Sequence, residues 1–156
     1  MDIIIREASD SDLEALVLCH SRFMEHHIIG DERFSLRAKA SEKWSGQIAA
    51  ELHNSDSLVL VAEDNSKIVG CAYILIKSGA LDFGPEKIGY ICDVFIEADY
   101  RRLGIARRFL SYGLNWLRTR KIFTIEASWS IHSEEAKSTW PALGFVPISV
   151  SGQMQF

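Results

Sequence analysis

The chain has 156 residues, of which 47% are hydrophobic and 24% charged, and it carries a net charge of −4. That length suits a single domain over residues 1–156, large enough for a real core. The acidic balance, with no long basic stripe, argues against nucleic acid as a partner. No apolar run approaches the roughly 20 residues that cross a bilayer, so no membrane partner is expected. The start, Met1-Asp-Ile-Ile-Ile-Arg6, lacks the basic opening of an export signal, and a cytoplasmic location is the expectation. Cys19, Cys71 and Cys92 are odd in number, sit in apolar surroundings and show no C-x-x-C spacing, which predicts buried, reduced thiols.

Met1 to Arg6 is a short β-branched run and predicts a first strand. Ser9 with Asp12, and Ser11 with Glu14, stand at capping-box spacing and open a helix. Its apolar face carries Leu13, Leu16, Val17, His20, Phe23 and Met24, and it is expected to fray near His26 and His27, with residues 28–31 a loop. Glu25, His26 and His27 do not make a metal site. Adjacent histidines on a helix point about 100° apart, and no cysteine or second histidine pair assists them. A second helix from Leu36 to Leu52 follows, with Trp44, Ile48 and Leu52 in register. Ser57–Ala62 and Lys67–Ile76 are β-rich and flank a turn-forming cluster at Glu63–Ser66, which predicts an antiparallel hairpin. Val69 to Ile76 is almost continuously apolar, as a central strand would be.

After a loop over residues 78–86, a strand from Ile88 to Ile96 runs through a polar turn into a helix from Ile105 to Leu117. A strand, a turn exposing consecutive N–H groups and a helix N-terminus make a receptor for phosphate. Arg101, Arg102, Arg107 and Arg108 gather positive charge there, and Gly104 lets the backbone come close. Neither G-x-x-x-x-G-K-S/T nor G-x-G-x-x-G occurs in this turn. Basic residues here and an acidic remainder suit an anionic cofactor on one side and a cationic acceptor, such as an amine, on the other. Lys121–Ala127 predicts another strand. A short helix begins near Ile131 and is bent or ended by Pro141, and Phe145–Val150 and Met154–Phe156 predict one or two closing strands. The order of elements is that of a mixed α/β domain.

Two segments carry a resemblance. Arg101-Arg102-Leu103-Gly104-Ile105-Ala106 fits Q/R-x-x-G-x-G/A, and Ser133 to Phe145 fits N-x-x-A-x-x-F/L-Y-x-x-x-G-F at Ala136, Gly144 and Phe145. The chain resembles the GNAT superfamily of N-acetyltransferases. The resemblance implies an α/β (α+β) fold with a mostly antiparallel sheet of about six or seven strands and about four flanking helices. It implies acetyl-CoA as cosubstrate and no metal. The pantetheine arm would pair with the backbone of Val94, Phe95 and Ile96. The pyrophosphate would meet Arg101, Arg102, Leu103, Gly104, Ile105, Ala106 and Arg107, with Ser133 and Trp140 bordering the cofactor.

For the catalytic base, Asp93 comes first, because Ile91-Cys92-Asp93 resembles the I-E-D strand of enzymes acting on small amines, with Cys92 in place of the glutamate. Asp93 as a carboxylate that only orients an amide or helix end is an equal reading. Glu126, within an apolar strand, comes second; Tyr90 and a solvated Glu97 are weaker. Trp140 stands where the family has a tyrosine acid, and an indole N–H does not give up its proton at physiological pH. Three outcomes follow: the thiolate leaves unaided or with water; Ser133, Ser138 or Tyr112 substitutes; or the cofactor site persists without efficient chemistry. Phe23, His26, His27 and Phe34 mark the expected acceptor side. The expected function is acetyl transfer from acetyl-CoA to a small primary amine. The alternatives are a protein N-terminal or lysine acetyltransferase, and a non-catalytic CoA-binding module. A homodimer through the C-terminal strands is compatible with the resemblance.

Overall fold

The computed structural model describes residues 2–30, 39–154 and 156, and side chains for all of these except 27–30. Five strands, β1 (Ile4–Glu7), β2 (Ser57–Asp64), β3 (Lys67–Ser78), β4 (Lys87–Ile96) and β5 (Ile125–Ala127), form one sheet in the order β1-β2-β3-β4-β5. The first four run antiparallel to their neighbours, whereas β5 pairs with β4 in parallel. The parallel step is made by a helix crossover, α3 (Ile105–Thr119). The other helices are α1 (Leu13–Gly30), α2 (Ala40–Glu51) and α4 (Glu134–Ala142).

Alternation along β2 divides the core. Val59 and Val61 pack with Leu16 and Cys19 of α1 and Ile48 of α2, while Leu58, Leu60 and Ala62 pack with Ile105, Phe109 and Leu110 of α3. Asn65 and Ser66, both at positive φ, make the two-residue turn between β2 and β3, a geometry that matches strand twist. Helix α3 buries Ile105, Phe109, Gly113 and Leu117, one per turn, against the sheet. It lies unusually close: a Cβ on Gly113 would come within 2.4 Å of Ile74 Cδ1, and one on Gly89 within 2.5 Å of Leu117 Cδ1. These two glycines therefore set the height of α3 above β3 and β4, and with it the position of its N-terminus.

The structure corrects several expectations. Helix α1 continues through His26 to Gly30 instead of fraying. Phe34 and the expected start of the second helix, residues 36–38, lie outside the described residues, as does the side chain of His27. The sheet has five strands, not six or seven. β5 begins only at Ile125, because Lys121 takes a left-handed conformation and Ile122 N–H closes the end of α3 on the Leu117 carbonyl at 3.0 Å. Beyond Phe145 no strand forms among the described residues, and Val146, Ile148 and Val150 are exposed. Pro147 has no N–H to contribute to a ladder there.

One ion-pair network ties β1 to the 3₁₀ turn Asp10–Asp12 that leads into α1, and to β2. Asp12 accepts from Arg6 Nη1 at 2.7 Å and Nη2 at 2.9 Å and from the Ser9 N–H at 2.8 Å, while Arg6 Nε reaches Glu63 at 2.8 Å. Hydrogen bonds from Arg6, outweighing burial, hold the Asp12 carboxyl well below the usual carboxylate range. A folded-state pKa below the unfolded one means stability that is complete above about pH 4 and drains away as pH falls further. Asp12→Asn is expected to cost about 2 kcal/mol, a drop in Tm of about 4–8 °C at neutral pH, and to flatten the acid limb of a Tm-versus-pH series.

Candidate active site

The site is built on an irregularity in β4. Tyr73 of β3 pairs with Asp93, but the next residue, Ile74, pairs with Ile91, so Cys92 is an extra residue in β4. Across the bulge the side-chain phase shifts: Ile91 and Val94 pack on the α3 face, while Cys92 and Phe95 pack on the α1–α2 face. Asp93 lies on the latter face too, half-buried in a small cavity with Leu16, Trp44 and Tyr73.

The same strand has an open edge. Its pairing with β5 ends at Ile91 opposite Ala127. The Glu97 N–H donates to the Val69 carbonyl at 2.9 Å, which fixes the phase of the ladder. By alternation Asp93 and Phe95 direct their backbone groups to β3, and Val94 and Ile96 direct theirs away from it. The Ile96 carbonyl accepts from Arg101 Nε at 3.0 Å, consistent with that phase. The N–H and carbonyl of Val94 and the N–H of Ile96 thus face the gap where β5 has diverged. Of the three backbone positions expected to pair with an added chain, Phe95 points the other way.

Past Ile96 the chain makes a 3₁₀ turn at Ala98–Tyr100 and enters the loop before α3. Arg102 and Gly104 both have positive φ, 61° and 80°, so the peptide planes alternate and N–H groups converge, a geometry that cradles anions. Gly104 is the N-cap of α3 and has no side chain to satisfy the first turn. Arg108 N–H is bonded to the Gly104 carbonyl at 3.1 Å, which leaves the amides of Ile105, Ala106 and Arg107 without an intrahelical partner. No acidic residue lies in that turn. A Cβ on Gly104 would meet nothing within 4 Å, so the loop surface is open there.

The arginines divide into two roles. Arg101 is held between the Ile96 carbonyl and Glu135, at 3.3 Å, and Arg107 Nη2 donates to the Ala142 carbonyl at 3.1 Å. Arg102 and Arg108 are exposed and make no ion pair among the described residues. Leu103 is exposed beside them.

The α1–α2 face carries the carboxylates. Glu97 is not solvated as expected; it is largely buried and ion-paired with Arg22 of α1. His26 Nε2 lies 3.6 Å from Glu135, so α1 meets both the loop and α4. Phe23 packs against the same core, and His20 stacks on Trp44 with ring centroids 4.1 Å apart. Glu126 lies opposite Tyr90 and 3.9 Å from Lys77, which itself sits 3.7 Å over the Tyr90 ring. Glu126 therefore has a cationic partner and is not a carboxylate isolated in an apolar strand. Burial first, then the charges of Asp93 and Glu51, push the Cys92 thiol up to about 12, and it stays a neutral thiol at physiological pH.

On the opposite face, α4 borders the gap. The Ser133 hydroxyl oxygen accepts from the Ala136 N–H at 3.2 Å and caps α4. Ser138 donates to the Glu135 carbonyl at 2.9 Å, and Tyr112 to Glu7 at 3.1 Å, on the far side of the molecule beside β1. Each hydroxyl considered as a stand-in for the tyrosine acid is thus engaged elsewhere. Trp140 stacks on Trp129, with centroids 6.1 Å apart, and meets Phe145 edge-on at 5.1 Å. Between it and the sheet lies an apolar cavity of about 40 Å³. Val94 and Ala106 stand at its rim near the open edge, and Ala72 and Ile74 lie one strand further in.

Two ion pairs of the site have no signature in the sequence. The pairs Arg22–Glu97 and Lys77–Glu126 join residues dozens of positions apart and leave no local pattern. Chemically, the arrangement offers an extended ligand one strand edge, an anion one amide-lined loop, and a reacting group near Val94 a carboxylate on the adjacent residue. Among the described residues no group of three or more His, Cys, Asp or Glu could hold a metal ion, and no helix is long and apolar enough to cross a membrane.

Solved structures with the same architecture include a predicted acetyltransferase from Clostridium acetobutylicum with acetyl-CoA, at 21% identity and TM-score 0.80, covering 98% of this chain and 96% of that one. An aminoglycoside antibiotic 6'-N-acetyltransferase from Acinetobacter haemolyticus matches at 12% identity and TM-score 0.79, over 98% and 97% of the two chains. Glucosamine-6-phosphate N-acetyltransferase from Arabidopsis thaliana matches at 15% identity and TM-score 0.72, over 100% and 99%. At these identities the likeness is one of fold. The family model described as the acetyltransferase (GNAT) family matches residues 22–145 of the sequence itself, bulge, loop and α4 included. This chain belongs to the GNAT family of acetyltransferases.

Proposed function

We propose that the chain is a single-domain N-acetyltransferase that moves the acetyl group of acetyl-CoA directly to a primary amine of a small molecule. The observation that carries this reading is the continuity of the outward-facing backbone of Val94 and Ile96 with the open amides of Ile105, Ala106 and Arg107. That run matches a ligand with an amide-bearing arm at one end and a pyrophosphate at the other. The Clostridium structure with acetyl-CoA and the aminoglycoside and glucosamine-6-phosphate acetyltransferases among its structural neighbours support the same donor and a small amine acceptor.

In this reading Val94 and Ile96 hold the pantetheine arm, and the loop from Arg101 to Arg107 receives the pyrophosphate, with Arg102 and Arg108 adding charge. Acetyl-CoA supplies the thioester and a thiol leaving group. The Val94 N–H donates to the thioester carbonyl oxygen, where negative charge grows as the amine attacks. Asp93, one residue back and on the acceptor face, takes the proton that the amine must lose, directly or through water. The new N–C bond forms as the C–S bond breaks, and the thiolate leaves. Cys92, part-buried where a buried thiol was expected and held neutral, takes no part as a nucleophile in this reading, and transfer is direct. Trp140 packs beside the leaving sulfur without protonating it.

Trp140→Tyr tests that last step. Because the thiolate is expected to leave unaided, kcat should change by less than about threefold; a gain of tenfold or more would assign a limiting role to the missing acid. Trp140 in place of a tyrosine, with Ser133, Ser138 and Tyr112 each engaged in another hydrogen bond, is also the observation that favours a second reading, a CoA-binding module without chemistry. Calorimetric titration separates the failures of these readings. One-to-one binding of acetyl-CoA in the micromolar range is expected, and no binding up to millimolar concentration would overturn both. Binding with no turnover on any amine would leave the module.

A further inference from the structure

The apolar cavity beneath β4 is lined by residues of β3 as well as of β4, α3 and α4. Ala72 and Ile74 belong to β3, one strand inward of the open edge, and both are about 1% exposed, so this space runs beneath β4 towards the core. Its inner wall is Phe109, and Thr139 and Trp140 close it from α4. Thr139 puts a small side chain at this wall. At about 40 Å³ the cavity has room for about three water-sized groups, judged by the one-probe volume that a single water needs. Its lining offers almost nothing polar, which suits hydrocarbon and disfavours a carboxylate.

We propose that this cavity is an acyl pocket, and that the donor can be propionyl- or butyryl-CoA as well as acetyl-CoA. The inference rests on the acetyltransferase reading of the site. With the acyl carbonyl at the Val94 N–H, a short tail turns past the Val94 side chain into the space between β4 and Trp140. The transfer is unchanged: the amine nitrogen bonds to the acyl carbon, the C–S bond breaks, and the proton lost by the amine passes to the base while CoA leaves as thiolate.

The test is calorimetric titration and initial rates with acetyl-, propionyl-, butyryl- and succinyl-CoA. Each buried methylene favours binding by about fourfold, so butyryl-CoA is expected to bind more tightly than acetyl-CoA, and succinyl-CoA more weakly than butyryl-CoA. Thr139→Leu fills the cavity and should lower the butyryl-to-acetyl affinity ratio by about tenfold, whatever it does to acetyl-CoA alone. Weaker binding of butyryl-CoA than of acetyl-CoA by the unaltered chain, or an unchanged ratio in the folded variant, overturns the pocket and leaves the acetyltransferase reading standing. Binding of none of the donors removes that reading, and the pocket falls with it.

Discussion

Gly104→Glu is expected to abolish acetyl-CoA binding, raising Kd by about a hundredfold or more, while the fold survives. The two halves of that statement have separate causes. Gly104 sits at φ 80°, where an L-residue costs roughly 1–2 kcal/mol, and its Cβ would project into open space and strike nothing. The variant should therefore stay folded, with a near-native circular dichroism spectrum and a modest loss of Tm. The glutamate carboxylate, however, would stand at the N-terminus of α3, beside the amides of Ile105 to Arg107. It would take the hydrogen bonds and the dipole meant for pyrophosphate and repel any anion that approached. Gly104→Ala is the control: it shares the backbone cost without the charge and should lose far less affinity. An unchanged Kd in Gly104→Glu would mean that the anion seat lies elsewhere.

The second large effect is on rate. Asp93→Asn is expected to lower kcat by about a hundredfold while the Kd for acetyl-CoA stays within about twofold, because general-base catalysis is worth about that much and the side chain faces away from the cofactor edge. A base must accept a proton to act, and the neutral amide of the Asn variant cannot do so. Glu126→Gln, beside Lys77, should alter the rate by only a few-fold. If Asp93→Asn keeps its rate, the base is Glu126 or water, and Asp93 has the orienting role that its position in the strand equally permits.

How much of this was legible in the residues follows from the range of the forces involved. The β2–β3 hairpin, β4, the basic turn and α3 are written locally, in alternation, in Asn65-Ser66, and in Arg101 to Ala106, and each lies where those signals put it. Asp93 was identifiable by type and neighbours. Its face was not, because the bulge at Cys92 is a property of register against β3 and has no pattern of its own. Ser133 shows the same limit: its spacing to Ala136 fits a contact with a ligand or a helix cap, and only the fold assigns the hydroxyl to the cap. By its place in the motif Arg101 is charge for a phosphate, yet two of its groups hold the loop to Ile96 and Glu135. The expected closing strands rested on apolar alternation after Phe145, which carries no information about whether a partner edge exists.

The most direct test of acetyl transfer to a small amine is release of free CoA thiol, followed spectrophotometrically with acetyl-CoA present, across a panel of polyamines, amino sugars, amino acids and lysine-containing peptides. Thiol release is expected to depend on one or more of the small amines, to exceed the amine-free rate, and to match, mole for mole, an N-acetylated product seen by mass spectrometry. Thiol release that is independent of amine, or confined to the peptides, would contradict it.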